Sequence, residues 1–272
     1  MLNNQRLLIA LDLDGTLLTS KKTISKKTKK LIQDLAKEGH LIIIASGRPP
    51  RAIFNYYYEL GLKTPMISYN GAYVFNPLDE SFPEQKMVFD SKIIKNLITD
   101  LNPVMTNIMC ENNDNMWLRY ENAQLVDFFA SSDIKLHFGE FDLFSNQNLF
   151  SIIGIQKPDI SRDEIKNIIS KYEDIDVWFW HGSPYFELYV KGFSKGPGLK
   201  YIANFYQIAK ENIIVFGDAD NDIDMFQVGH ISVAMKNAKT NVLQSASRIS
   251  LYDNDKEGIY HTLKQIIREY KT

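Results

Sequence analysis

The chain has 272 residues, of which 44% are hydrophobic and 24% charged, a composition typical of a globular protein with a substantial core. Its net charge of −2 gives no basic field that would favour nucleic acid or an anionic membrane as a partner. The polar Met1–Arg6 segment lacks the layout of a signal peptide, and no apolar run approaches the roughly 20 residues that span a bilayer. The single cysteine, Cys110, has no intrachain partner and is expected to be a small buried hydrophobe. We therefore expect a cytoplasmic enzyme or binding protein.

The first predicted element is a buried strand that ends in two carboxylates. Leu7–Leu11 is apolar throughout, as in a strand covered on both faces of a parallel sheet. Asp12 and Asp14 follow, and Gly15 allows the chain to turn sharply. Open α/β sheets have their sites at the carboxyl ends of strands, so this pair is expected to face a crevice. The two aspartates could share a hard cation, divide nucleophilic and acid–base roles, or simply be solvated at a strand end.

The next elements alternate between helix and strand. Apolar runs and helical spacing predict, in order, a helix over 23–39, a strand over 41–45, a helix over 50–60 and a strand over 65–68. Strands that alternate with helices in this way imply right-handed crossovers and one parallel sheet.

Polar residues follow the second and third predicted strands. Ser46, Gly47 and Arg48 close the second strand, where a hydroxyl and exposed backbone amides can hold a phosphate oxygen. The alternative is an ordinary turn before a helix, with Arg48 paired on the surface. Asn70-Gly71 follows the third strand and is a strong hairpin signal, which by itself predicts only a turn role for Asn70.

From about residue 83 the pattern changes to strand pairs with interposed helices. Helices are predicted over 90–101, 121–131 and 161–172, strands over 103–110, 116–120 and 150–156, and a hairpin over 176–190. This pattern predicts a separate α+β unit. Trp178 and Trp180 share one strand face and are expected to pack against helices rather than to form a substrate platform. His181, beside the hairpin turn, is a candidate for substrate specificity, although a lone histidine is more often structural.

Two further polar segments lie in the last third of the chain. Lys195 precedes a helix predicted over 199–206, where it would make an anion site or, alternatively, a solvent-exposed lysine. A strand over 212–216 leads into residues 218–224, which include five acidic or amide side chains in seven positions. So many carboxylates at one strand end repel one another, and a divalent metal is the natural counter-charge. Short strands over 232–234 and 248–251 and a helix over 258–270 complete the predicted elements.

Four of these signals stand at strand ends or helix starts in a fixed order. They are Asp12-x-Asp14-Gly15-Thr16, Ser46-Gly47-Arg48, Ser194-Lys195-Gly196 and Gly217-Asp218-x-x-Asn221-Asp222. Their joint order and spacing resemble the haloacid dehalogenase superfamily of phosphatases, in particular the Cof-type branch. The resemblance covers nearly the whole chain. It implies an α/β fold, with a Rossmann-like parallel-sheet core over 1–82 and 190–272 and an inserted α+β cap domain over 83–189 that sets substrate specificity.

The resemblance also implies roles for the motif residues. Asp12 would be the nucleophile, and Asp14 would be the general acid and base. Mg²⁺ would be held by Asp12, Asp218 and Asp14, the last through its backbone carbonyl, while Asp222 would orient the metal waters or Lys195. The expected substrate-binding groups, which surround the phosphoryl oxygens, are Leu13, Ser46, Gly47, Arg48, Asn70, Lys195 and Asn221.

The implied function is a magnesium-dependent phosphatase that acts on small phosphate monoesters, such as sugar phosphates or related metabolites. A phosphomutase or phosphotransferase with the same aspartyl-phosphate is the first alternative, and a non-catalytic phosphometabolite sensor is the second. One departure from the branch is Gly196-Pro197-Gly198-Leu199, where Gly-x-Ala-Leu is common, and it predicts an altered helix start. The oligomeric state and the physiological ester are not encoded in these motifs.

Overall fold

The computed structural model describes residues 6–129, 134–140, 148–180 and 182–271, so His181 lies outside the described residues. The chain divides into two compact units. The first unit comprises residues 1–47, 53–85 and 194–272, and the second comprises 48–52 and 86–193. The proposal that residues 83–189 determine substrate specificity stays a prediction.

The described residues form helices in both units and strands in three sheets. The helices are α1 (Lys26–Lys37), α2 (Pro50–Leu60), α3 (Ser91–Leu101), α4 (Ala123–Phe129), α5 (Arg162–Ile169), α6 (Lys195–Phe205), α7 (Ile223–Val228), α8 (Thr240–Ser245) and α9 (Gly258–Lys271). The strands are β1 (Leu8–Leu11), β2 (Leu41–Ile44), β3 (Met66–Ser68), β4 (Tyr73–Phe75), β5 (Gln85–Lys86), β6 (Met105–Glu111), β7 (Asn115–Leu118), β8 (Lys135–Phe138), β9 (Ser151–Gln156), β10 (Ile175–Phe179), β11 (Tyr185–Val190), β12 (Ile213–Gly217), β13 (Ile231–Ala234) and β14 (Arg248–Ile249).

A five-stranded parallel sheet in the first unit holds the strand ends that bear the polar motifs. Its order is β14-β13-β12-β1-β2, and every neighbouring pair is parallel. All four residues of β1 are fully buried, as their unbroken apolar sequence predicts for a strand covered on both faces. Leu11 lies level with Ile44 of β2 and Phe216 of β12. The three strands therefore end at the same edge of the sheet, which brings the segments that follow them together.

The third predicted strand joins the parallel sheet through one bridge rather than through a ladder. The bridge between Ala45 and Ile67 is parallel, as the predicted strand order requires, while β3 otherwise pairs antiparallel with β4. Tyr69, Asn70 and Gly71 all have positive φ angles, of 49°, 52° and 101°. These left-handed residues reverse the chain direction between β3 and β4. The hairpin predicted from Asn70-Gly71 is therefore confirmed, with β3 as its first strand.

The second unit is built on a six-stranded sheet in the order β10-β11-β9-β6-β7-β8. Its pairs are antiparallel except for β7 and β8, which run parallel. Helices α3 and α5 cover one face through an apolar cluster that includes Ile94, Ile165 and Val177. Strand pairs with interposed helices are the α+β arrangement that the sequence predicts for this region.

Trp178 and Trp180 lie on the face of this sheet that α3 and α5 leave uncovered. Trp180 packs beside a small cluster that includes Leu125 of α4, so the expected packing against a helix is confirmed for this residue. The ring of Trp178 stacks on Tyr189 with centroids 3.9 Å apart, and its packing against a helix stays a prediction. Val177 alternates with Trp178 along β10 and belongs to the cluster that includes Ile165 of α5 on the opposite face.

Helix α6 begins four residues earlier than predicted. Ser194 has extended backbone angles of φ −148° and ψ 176°, and Lys195 is the first helical residue. Pro197 falls in the first turn, where a helix needs no backbone N–H, so the Gly-Pro-Gly sequence is accommodated without a break. The lysine of the third motif therefore belongs to a helix rather than to a preceding loop.

Cys110 is completely buried in the apolar cluster under α3 and α5, as expected for a small hydrophobe. Of the helices that the structure describes, none combines the length and the apolar character needed to cross a bilayer.

Candidate active site

Three carboxylates meet at the carboxyl edge of the parallel sheet. Asp12 directly follows β1, Asp218 directly follows β12, and Asp222 lies in the short helical turn after Asp218. One oxygen from each carboxylate lies within 4.8 Å of the other two. The shared edge of β1 and β12 brings these residues together, although more than half of the chain separates Asp12 from the other two.

The buried ammonium of Lys195 lies between two of these carboxylates. Its Nζ donates hydrogen bonds to Oδ1 of Asp12 and to Oδ1 of Asp222, both at 2.7 Å, and the residue is only 1% exposed. Burial alone would lower the pKa of Lys195, but the two carboxylates outweigh burial and hold the pKa above its ordinary value. The lysine is therefore a fixed positive charge within the acidic group.

The remaining negative charge leaves the group in need of a cation. Burial raises the pKa of Asp12 well above its ordinary value, and Asp222 and Asp218 add to the rise while Lys195 opposes it. Burial and the charge of Asp222 likewise raise the pKa of Asp218 to about 7. When all three carboxylates are ionised, they and the one ammonium carry a net charge of −2 in a largely buried space. Such a set of oxygen donors fits a hard divalent cation.

The hydrogen bonds distinguish the three carboxylates. Both oxygens of Asp222 are engaged, because Oδ1 accepts from Lys195 and Oδ2 accepts from the backbone N–H groups of Asp218 and Ala219 at 3.0 and 3.1 Å. By contrast, Asp12 accepts only from Lys195, and the carboxylate of Asp218 accepts only from Thr16, within the part of the chain that the structure describes. Asp12 and Asp218 thus retain oxygens for a cation, whereas Asp222 orients its neighbours.

Gly15 and Thr16 shape the turn that holds Asp218. Thr16 is buried, and its Oγ1 donates to Oδ1 of Asp218 at 3.0 Å. Gly15 has a φ of +79°, and a Cβ at this position would lie 2.2 Å from Oδ2 of Asp218. Thr16 was not predicted as a site residue, although its place in the first motif was the signal that could have identified it.

Asp14 lies apart from the carboxylate group. Its side chain is 30% exposed and accepts a hydrogen bond from Lys22 Nζ at 2.5 Å. Between Asp12 and Asp14, the carbonyl of Leu13 accepts the N–H of Leu18 at 2.8 Å, which folds the segment after β1 back on itself. The acid–base role of Asp14 and the phosphate-binding role of the Leu13 amide stay predictions.

Four other predicted residues form a linked polar group in the first unit. The N–H of Asn70 donates to the carbonyl of Ser46 at 3.1 Å, and Nδ2 of Asn221 donates to Oδ1 of Asn70 at 2.8 Å. A Cβ on Gly47 would lie 2.9 Å from the same Asn70 oxygen, so the two loops approach closely. The left-handed backbone of Asn70 thus serves more than a turn, because it ties the second motif to the fourth.

Arg48 is the predicted site residue that this group does not include. It belongs to the second unit, where its Nη1 lies 3.5 Å from the carbonyl oxygen of Ala52. Its contact with substrate stays a prediction.

The chain is similar to known proteins over most of its length. A family model described as haloacid dehalogenase-like hydrolase matches residues 9–263. This chain belongs to that family. The hydrolase is 32% identical over 265 residues to the 5-amino-6-(5-phospho-D-ribitylamino)uracil phosphatase YitU of Bacillus subtilis strain 168, covering 95% of this chain and 96% of that protein. It is 25% identical over 268 residues to the phosphatase YbjI of Escherichia coli K12, which is named for the same ester, with 96% of both chains covered.

A solved structure extends the similarity to the whole fold. The crystal structure of TM0651 from Thermotoga maritima matches with a TM-score of 0.79 and 26% identity, over 96% of this chain and 97% of that one. The predicted family and the predicted α/β fold, a Rossmann-like core with an inserted α+β cap domain, are confirmed. The hydrolase is an enzyme of the phosphoric monoester hydrolase class.

Proposed function

We propose that the hydrolase releases inorganic phosphate from a small phosphate monoester through an aspartyl-phosphate on Asp12, with Mg²⁺ as its metal. The observation that carries this proposal is the pairing of Asp12 with Lys195. Asp12 is 5% exposed, hydrogen-bonded to a permanently charged ammonium and grouped with two further carboxylates. A carboxylate held in this way is oriented for attack, while the ammonium can bind the anionic phosphoryl group.

In the first half of the reaction, a carboxylate oxygen of Asp12 forms a bond to phosphorus. The bond from phosphorus to the ester oxygen breaks, and Asp14 gives a proton to the departing alkoxide, which leaves as an alcohol. Lys195 and the amide of Asn221 would bind the equatorial phosphoryl oxygens, where the charge of the transition state is spread.

In the second half, water attacks the phosphorus of the aspartyl-phosphate. Asp14, now a carboxylate, takes a proton from this water, and the bond between phosphorus and the Asp12 oxygen breaks. Inorganic phosphate leaves, and both aspartates return to their starting state. The partial exposure of Asp14 supports this role, because a group that exchanges protons with substrate and water needs access to both.

Mg²⁺ would be held by Asp12, by Asp218 and by the carbonyl of Asp14. When bound, it supplies the positive charge that lets an anionic nucleophile and an anionic phosphoryl group approach each other. Asp222 would contribute indirectly, since its oxygens hold Lys195 and the backbone of Asp218.

We further propose 5-amino-6-(5-phospho-D-ribitylamino)uracil as the first ester to test. Two relatives that match almost the full chain, from Bacillus and Escherichia, are named as phosphatases of this compound. Its phosphate is carried by a ribityl chain, so it is one of the metabolites related to sugar phosphates that the sequence predicts.

The test is phosphate release by the purified full-length protein, with Mg²⁺ or with EDTA. The esters would be the aminouracil compound, several sugar phosphates, nucleotides, flavin mononucleotide and pyridoxal phosphate. Release that depends on Mg²⁺ and is fastest from the aminouracil ester is the expected result. Faster release from another ester would overturn the proposed substrate but not the chemistry. No release from any ester would overturn the phosphatase, and transfer of phosphate to a second hydroxyl would favour the mutase alternative.

A further inference from the structure

A second carboxylate from the segment that carries Asp222 contacts helix α6. The backbone N–H of Gly196 donates to Oδ2 of Asp224, on α7, at 3.0 Å. Ser194 occupies the N-cap position of α6, but its side chain makes no capping hydrogen bond. The first turn of α6 is therefore capped by a carboxylate from another helix, which satisfies a backbone donor that would otherwise have no partner in the helix.

The helices approach so closely at this point that only glycine fits. A Cβ on Gly196 would lie 2.7 Å from the backbone carbonyl oxygen of Asp224. Backbone atoms cannot swing aside as the end of a long side chain can, so any larger residue would move α6 away from α7. This contact fixes the distance between the two helices at the residue after Lys195.

Two consecutive residues of α6 are thus held by two carboxylates of one short segment. Asp222 holds the side chain of Lys195 at 2.7 Å, and Asp224 holds the backbone of Gly196 at 3.0 Å. Because Lys195 is the first residue of the helix, a shift of this turn carries its Nζ with it. The Nζ has little freedom, since it must stay within hydrogen-bond distance of both Asp12 and Asp222.

We propose that Asp224 is a positioning residue, which acts on the reaction by fixing Lys195 between Asp12 and Asp222. This inference rests on the proposed function, in which Lys195 binds the phosphoryl group. A purely stabilising role does not explain why residue 224 is a carboxylate. Oδ1 of Asp224 is buried and accepts no hydrogen bond from the described residues, and a buried acceptor without a partner is destabilising.

The experiment compares Asp224→Ala with Asp224→Asn in the full-length protein. Asparagine keeps an oxygen for the Gly196 N–H, whereas alanine removes it. Asp220→Ala is the matched control, because Asp220 lies in the short turn just before α7 but its carboxylate contacts Lys239 and Asn241 on the surface. For each variant kcat, KM and the thermal midpoint are measured, together with the Kd of inorganic phosphate by calorimetry in the presence of Mg²⁺.

For Asp224→Ala we expect kcat/KM to fall about 10- to 100-fold, because small displacements of a catalytic group have effects of this size. The Kd of inorganic phosphate should rise by about tenfold, because one charged donor is misplaced. Asp224→Asn should stay within about threefold of wild type in both quantities, at a temperature where all the variants are folded. Gly196→Ala should lower kcat/KM and phosphate affinity as Asp224→Ala does, although alanine favours helix formation more than glycine does.

The possible results distinguish a failure of the positioning role of Asp224 from a failure of the proposed phosphatase function. If the wild type is active and Asp224→Ala matches it in kcat/KM and in phosphate affinity, the positioning role is wrong. If Asp224→Ala loses thermal stability but keeps phosphate affinity while folded, Asp224 is only a helix cap and the inference fails. If the wild type hydrolyses no ester, yet binds phosphate more tightly than Asp224→Ala, the proposed function fails while the positioning role stands.

Discussion

Lys195 is the residue on which the charge balance of the site depends. Its ammonium is buried against Asp12 and Asp222, and both bonds are short enough to fix the position of Nζ. Without this charge, no ammonium would offset the repulsion among the carboxylates of Asp12, Asp218 and Asp222. The energetic cost of burying these four groups is tolerated because each carboxylate has a donor, and two of them keep an oxygen for a cation.

At Asp12, we expect Asp12→Asn to abolish turnover while the fold is retained. An amide oxygen is a poor nucleophile, and asparagine still accepts a hydrogen bond from Lys195, so kcat should fall by about 10³-fold or more. Steady-state phosphate release measures the loss, and circular dichroism checks the fold. Wild-type turnover by this variant would rule out the aspartyl-phosphate on Asp12.

At Asp14, we expect Asp14→Asn to slow turnover by about 10²- to 10⁴-fold, the usual contribution of a general acid or base. With a good leaving group the first step needs no acid, so the aspartyl-phosphate should accumulate in this variant. Mass spectrometry of acid-quenched enzyme would detect the added phosphoryl group. An unchanged rate would remove Asp14 from proton transfer.

At the scale of elements, the sequence predicts the buried parallel strands and the longer helices well. Helix α2 begins and ends as predicted, because Pro50 suits a first turn and Gly61 ends the pattern. β8 was missed because its alternation covers only four residues, Lys-Leu-His-Phe, which is too short to stand out as a strand pattern. Helices α7 and α8 have six residues each, which is too short for a helical period.

At the site, local motifs could be predicted from the sequence, but contacts between distant segments could not. The motifs identify Asp12, Lys195 and Asp218, since charged residues at strand ends and helix starts stand out in a sequence. The contacts of Thr16 with Asp218 and of Asp224 with Gly196 depend on how two distant turns approach each other. No local pattern encodes that approach.

The turn at Gly15 can be tested with a paired glycine substitution. Gly15→Ala and Gly39→Ala both force alanine into a positive φ, and each should lose about 1–2 kcal/mol of unfolding free energy. Only at Gly15 does the new Cβ collide with Asp218, whereas nothing lies within 4 Å at Gly39. The Mg²⁺ concentration for half-maximal activity should therefore rise about 10- to 100-fold in Gly15→Ala alone. Equal Mg²⁺ requirements in the two variants would contradict the role of this turn.

The end of strand β6 should make stability depend on pH. Burial raises the pKa of Glu111 from 4.5 to about 7, although the Arg51 guanidinium beside it opposes the rise. Between these values the unfolded chain has lost the proton and the folded protein keeps it, so the free energy of unfolding falls as pH rises. The fall amounts to about 3 kcal/mol between pH 4.5 and pH 7.

Glu111→Gln removes this titration and is the variant to compare. Urea unfolding of both proteins across this pH range gives the difference between their slopes, in which the other titrating groups cancel. We expect the wild type to lose stability relative to Glu111→Gln as pH rises. Parallel curves would show that Glu111 titrates alike in the folded and unfolded states.

At the scale of the whole molecule, the carboxylate cluster of Asp12, Asp218 and Asp222 lies in the first unit, at the carboxyl edge of its parallel sheet. The second unit is an insertion with its own apolar cluster and its own sheet. Two bacterial relatives that are named as phosphatases of the same ester match both units almost end to end. The prediction that the second unit determines substrate choice therefore needs to be tested on a chain that contains both units.

Metal binding by the intact protein should be visible as thermal stabilisation. A ligand that binds only the folded state adds about 2.7 kcal/mol when present at about 100 times its Kd. We expect Mg²⁺ to raise the melting temperature of the wild type and of Asp220→Asn, and to have little effect on Asp218→Asn. Stabilisation of all three proteins to the same extent would place the cation elsewhere.

The pairing of β1 with β12 has a consequence for synthesis on the ribosome. Asp12 and Lys195 are 183 residues apart, and Leu8 at the start of β1 lies beside Ile213. The nascent chain therefore exposes the edge of β1 that later pairs with β12, and an aspartate without its counter-ion, until the inserted unit has been translated. The insertion is continuous from residue 86 to 193 and can bury its own apolar residues first. The order of translation thus makes the catalytic sheet the last part of the protein to close.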